Sequence, residues 1–167
     1  MRNAMFAVCL LVSTSAMAAT DYYLKIPGVA GGSVSKGHAG WLDVESQSVN
    51  LAPPVMDGKK LATLQCSAAA EGVFGAAGAN VAGLVGMPIA GDVVIEAEHA
   101  GGKDQFVIYS AVLKGALITH YATAGASDSF RDSVALSFTQ IIVTTTEQKE
   151  DGSAGAKRTG SFDCTHP

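Results

Sequence analysis

For most of its length the chain alternates apolar and polar residues, the period of a strand with one buried face. Tyr22, Leu24 and Ile26 share one face of a first strand, which Pro27-Gly28 ends. A second strand runs over about 39–48, with Leu42 and Val44 pointing one way and Asp43 and Glu45 the other; Pro53-Pro54 closes it. Residues 61–66 make a shorter third strand. Residues 93–98 make another, followed by a hairpin turn at Ala100-Gly101-Gly102-Lys103. Residues 105–122 form one long strand, or two meeting at Gly115, with Val107, Tyr109, Ala111 and Leu113 on a common face. A polar loop over 124–129 follows. The cleanest alternation spans 132–146, with Val134, Leu136 and Phe138 inward and Ser133, Ser137 and Thr139 outward. A charged linker over 147–158 leads to a last short strand at 160–164.

Residues 68–91 break this pattern. They are rich in Ala and Gly, and Glu71 is their only ionisable side chain. Val73, Phe74, Val81, Leu84 and Val85 would line one side of a helix, but each glycine weakens a helix by about 1 kcal/mol relative to Ala. The stretch reads as a mobile helix or a long loop. Six or seven strands joined by hairpins predict a mainly β domain, an antiparallel barrel or a sandwich of two packed sheets.

The first residues read as an address. Arg2 precedes a short apolar run, Ala4 to Val12, and Ala16-Met17-Ala18 suits signal-peptidase cleavage after Ala18. The run is shorter than the roughly 20 residues a spanning helix needs. Residues 1–18 are thus expected to be a signal peptide and 19–167 one domain, in the periplasm or outside the cell. Cleavage removes Arg2 and no acid, moving the net charge from −4 to −5. An acidic surface speaks against nucleic acid and anionic membranes as partners, and no later run is long enough to insert in a membrane. Cys9 leaves with the signal. Cys66 and Cys164 remain and can pair in only one way in an oxidising compartment, the alternative being two separate buried thiols.

Catalytic motifs are missing. Ser33-Val34-Ser35-Lys36 matches S-x-x-K but lies in a Gly-rich turn without its S-D-N companion, and reads as chance. Gly101-Gly102-Lys103 is followed by Asp104, not by the Ser or Thr of a phosphate loop. Glu96 and Glu98 share a strand face that His99 does not, so they do not converge on a metal. Asp128, Arg131 and Asp132 read as a turn-stabilising ion pair. No catalytic residue, cofactor or metal is expected.

Two segments are more specific than their composition: Lys36-Gly37-His38-Ala39-Gly40-Trp41-Leu42-Asp43-Val44, and the region from Phe106 to about Gly152, with Leu113-Lys114-Gly115-Ala116 and Asp132-Ser133-Val134-Ala135-Leu136-Ser137-Phe138. With Tyr22-Leu24-Lys25-Ile26 they resemble the Hcp family, the haemolysin-coregulated tube proteins of type VI secretion systems. The resemblance implies two packed antiparallel sheets closed as a barrel with one short flanking helix. It implies hexameric rings that stack into a tube carrying effectors, with spike or effector proteins as partners, and no catalytic residues. It places the segment of His38 and Trp41, and the loop of Ser127 and Asp128, near ring-contacting surfaces. Trp41 is expected to anchor the second strand, as a core residue, a partly buried surface aromatic or a subunit contact. Family members normally lack a signal peptide, and where they carry a hydrophobic strand and short helix this chain has its Ala/Gly-rich stretch. A monomeric periplasmic binding or adhesion module on the same barrel is therefore the alternative expectation.

Overall fold

A computed structural model describes residues 19–52, 56–57, 60–61, 65–100, 105–126 and 129–165. The expected signal peptide lies outside the described residues, as do Ser127 and Asp128. Twelve strands and one short helix are described: β1 (Ala19–Lys25), β2 (Leu42–Val44), β3 (Ser46–Ala52), β4 (Met56–Asp57), β5 (Lys60–Leu61), β6 (Gln65–Gly72), α1 (Ala77–Gly83), β7 (Val93–Ala100), β8 (Phe106–Lys114), β9 (Leu117–Ala126), β10 (Ser129–Ser137), β11 (Gln140–Gln148) and β12 (Ala154–Asp163). Six form a sheet in the order β12-β11-β8-β7-β1-β2, and four form a second in the order β3-β6-β10-β9; β4 and β5 make a small ribbon. Neighbouring strands are antiparallel throughout.

The inward rows pack between the sheets. Leu24, Leu42, Ile95, Leu113 and Ile141 come from the larger sheet, with Ile26 just past the end of β1, and Ala68, Ala70, Val134 and Leu136 from the smaller; all are buried. The sheets exchange strands at three corners. β2 passes into β3 at Glu45, whose amide donates to the Glu71 carbonyl. β8 turns into β9 at Gly115-Ala116, and β10 into β11 at Phe138-Thr139. The last two corners stack: the Thr139 amide and hydroxyl both donate to the Lys114 carbonyl, at 2.9 and 3.1 Å. Gly115 has a φ of +58°, and a Cβ on it would overlap Thr139 Oγ1, so the site takes glycine alone.

Several expectations change. The second strand is two, β2 and β3, in different sheets, because the chain bends at Glu45. The 132–146 alternation is likewise two strands divided by a corner; the longer run before it takes the two-strand alternative, meeting at Gly115 as expected. The third strand lies further along than expected: β6 extends through Ala68-Ala69-Ala70 and ends at Gly72, paired on both sides by β3 and β10. The rest of the Ala/Gly-rich stretch includes α1, held by fully buried Val81 with Ala77 and Gly78 rather than by helix propensity. The expected 147–158 linker is a hairpin. β11 runs to Gln148, and β12 pairs with it from Ala154 to Asp163, with one register shift between Thr146 and Gln148.

Cys66 and Cys164 form a disulfide with Cα atoms 6.1 Å apart and a sequence separation of 98. Cys66 lies in β6 of the four-stranded sheet, and Cys164 follows β12 at the edge of the six-stranded one. The bond flanks the β10–β11 corner: the Phe138 amide donates to the Cys66 carbonyl, and the Cys164 amide to Thr139.

Candidate functional site

The loop over 31–41 folds onto the outer face of the six-stranded sheet. Its ends are tied by Gly31 N–H to the Gly40 carbonyl (2.8 Å), Gly40 N–H to Ser33 (2.9 Å) and Ser33 N–H to Trp41 (3.0 Å). The backbones approach so closely that a Cβ on Gly31 would sit on the Trp41 carbonyl. Ser33 is buried, and its Oγ accepts the Ser35 amide at 3.4 Å. The S-x-x-K serine is thus part of a turn.

This loop delivers His38 to the sheet. Only 2% of the residue is exposed. Its ring stacks on Tyr23 of β1, with centroids 3.9 Å apart and planes within 4°. Trp41 meets it edge-on at 4.8 Å, and Lys25 Nζ lies 5.6 Å from the Trp41 ring. The imidazole then faces two carboxylates of β7. Nε2 lies 2.8 Å from Glu96 Oε2, and Nδ1 lies 3.5 Å from Glu98 Oε2. Ser110 of β8 donates to the other oxygen of Glu96 at 2.9 Å. Strand register explains the convergence. Tyr23 is directly opposite Glu96, Asp21 opposite Glu98 and Glu96 opposite Ser110, so these side chains share the outer face. Burial pushes the Tyr23 phenol up, and the Asp21, Glu98 and Asp43 charges add to this, against a hydrogen bond with Ser35.

Glu96 and Glu98 therefore do converge, but on opposite nitrogens of one imidazole. Among the described residues no group of three His, Cys, Asp or Glu side chains is arranged to hold a metal ion. Trp41 is half-buried against His38 and stands outside the core cluster, so it does not take the core setting.

A second polar cluster ties α1 to the smaller sheet. Asp132 is buried; the Tyr121 hydroxyl donates to its Oδ1 at 2.7 Å and the Phe74 amide to its Oδ2 at 2.9 Å. Burial pushes the Asp132 carboxyl up, but these hydrogen bonds, with one from Thr123, outweigh it and hold the group below the usual carboxylate range. Burial, with the bond to Asp132 and its charge, pushes the Tyr121 phenol up to about 12. The residues of the expected ion pair, Asp128, Arg131 and Asp132, part company where they are described. Asp132 turns inward, Arg131 reaches across to Glu45 at the β2–β3 corner, and Asp128 lies outside the described residues.

No protein-family model matches the sequence, and a search of curated proteins found no match. Solved structures do match. One described as a type six secretion system protein aligns over 87% of this chain and 96% of its own, with a TM-score of 0.75 at 17% identity. Hcp1 from Salmonella typhimurium aligns over 89% and 96%, with a TM-score of 0.72 at 19% identity. A type VI secretion system effector from Yersinia pestis aligns over 86% and 99%, with a TM-score of 0.67 at 20% identity. This chain has the Hcp fold. At these identities the likeness is one of architecture: two antiparallel sheets exchanging strands, with a single short helix. The alignments take in 96–99% of each of these solved chains.

Proposed function

We propose that the mature chain is a structural, ring-forming component of a type VI secretion system: a tube subunit and effector carrier, assembled as a hexamer and acting without catalysis. The alignment to type VI secretion proteins over 86–89% of this chain carries the reading. Two features support it. β12 is a ten-residue edge strand, paired only with β11 and exposed along nearly its whole length, which leaves an open edge for a neighbouring copy. Thr123, Ala124 and Gly125 of the β9–β10 hairpin are also exposed, next to the expected assembly residues Ser127 and Asp128. Among the described residues no helix is long and apolar enough to cross a membrane.

The export signal belongs to the same proposal: cleavage after Ala18 and a mature protein in the periplasm or outside the cell. Analytical ultracentrifugation of the protein starting at Ala19 tests the ring, with a six-fold mass expected. A purely monomeric species at high concentration removes the ring and leaves the monomeric binding-module reading. A charge introduced by Ser127→Asp should impair assembly while the monomer stays folded. Intact-mass measurement of exported protein tests the cleavage site.

A further inference from the structure

His38 sits at the centre of a charge arrangement that only one protonation state satisfies. A neutral imidazole has one N–H donor and one lone pair. Here a carboxylate oxygen faces each nitrogen, Glu96 at 2.8 Å and Glu98 at 3.5 Å. In the neutral ring one carboxylate therefore meets a lone pair; in the imidazolium each meets an N–H. Nδ1 is buried and has no hydrogen-bond partner. Glu98 is itself a buried acid, opposite Asp21. The other groups packed around the ring are the neutral phenol of Tyr23, the indole of Trp41 with Lys25 beyond it, and Ser110 behind Glu96. No other cation touches either carboxylate among the described contacts.

We propose that His38 is a proton-operated latch for the 31–41 loop. Protonated, it bridges Glu96 and Glu98 and clamps the loop to β7. On losing the proton it keeps the shorter link to Glu96, loses the one to Glu98 and faces repulsion there, and the loop loosens. Val34, 94% exposed on the same loop, is the part of the surface whose order the latch controls. Acidification thus tightens this face of the protein, and a rise in pH frees it.

The chain contains one tryptophan, and its ring touches His38, so it reports the latch directly. Tryptophan emission of the mature protein should change between acidic and alkaline buffer, and protection of the Gly31, Ser33 and Gly40 amides against exchange should fall on the alkaline side. Glu98→Gln should remove most of the pH dependence of that protection, because it takes away the carboxylate facing Nδ1. His38→Gln should abolish the emission change. An emission change that survives in His38→Gln overturns the proposal, as does protection independent of pH in the wild type or an unchanged pH dependence in Glu98→Gln. Should His38→Gln not fold, the Glu98→Gln and wild-type exchange profiles decide by themselves.

Discussion

The Tyr121 hydroxyl donates to Asp132 Oδ1 from two residues along the neighbouring strand, a diagonal cross-strand pair that also holds the turn leading into α1. The pair gives stability a defined pH dependence. The Tyr121 phenol is raised from 10.0 to about 12, so its contribution is complete below pH 10 and is lost as pH rises toward 12. The Asp132 carboxyl is lowered from 3.8, so its contribution is present above that value and lost as pH falls through the depressed one. Tyr121→Phe should flatten the alkaline limb of a urea-unfolding series between pH 10 and 12 and cost about 1–2 kcal/mol at neutral pH, since it leaves Asp132 Oδ1 short of a donor. Asp132→Asn should flatten the acid limb. Unchanged limbs in both variants would contradict the assignment.

The disulfide closes a 98-residue span. In the chain-entropy account a loop of that size stabilises by up to about 4–5 kcal/mol, and native bonds commonly give 2–5. Cys66→Ser with Cys164→Ser should lower stability within that range. Denatured but unreduced mature protein should show no reactive thiol and gain two on reduction; two thiols before reduction would disprove the bond.

Gly115→Ala meets a left-handed backbone and the Thr139 side chain together. A loss of about 1–3 kcal/mol is expected. Thr139→Ala in the same chain should recover part of it, because it removes the clash and leaves only the backbone strain. A double-mutant cycle in urea reads the recovery as coupling.

Arg131 and Glu45 are both largely exposed, at 60% and 48% of their side chains. Arg131→Ala should cost under about 1 kcal/mol, and less in high salt. A larger loss would mean that the β2–β3 corner depends on this pair.

The strands with one buried face were legible because alternation is a local signal. Val134, Leu136 and Phe138 read correctly, as did the Leu24 and Ile26 face. Corners were not, since alternation continues through a bend: Phe138 and Thr139 keep the rhythm while the chain changes sheets. β12 was hidden for a different reason. Its residues are exposed on both faces, so no apolar row exists to read. Ala68-Ala69-Ala70 has little strand propensity and becomes a strand because β3 and β10 pair on either side of it. The glycines beside it reflect close approach. A Cβ on Gly72 would press on the Asp43 carbonyl at 2.6 Å, and one on Gly78 on the Tyr121 hydroxyl at 2.5 Å. The His38 cluster joins residues 58 apart and depends on a loop closing over a sheet, which no periodicity reports. The K-G-H-x-G-W stretch marked the loop; Glu96 and Glu98 were legible as one face of their strand, but nothing local tied that face to the loop.

The Cys66–Cys164 bond also decides how the chain would respond to being pulled from its ends. Tension entering near Ala19 travels along β1, β2 and β3 to Cys66, crosses the sulfur bridge, and leaves through Cys164. The intervening segment, from Ser67 near the start of β6 through the whole of β12, lies outside that path. A protein that is pushed, dragged or threaded by one end could therefore yield in its first third while the remainder kept its fold, and its extended length would stop short by nearly 98 residues of chain.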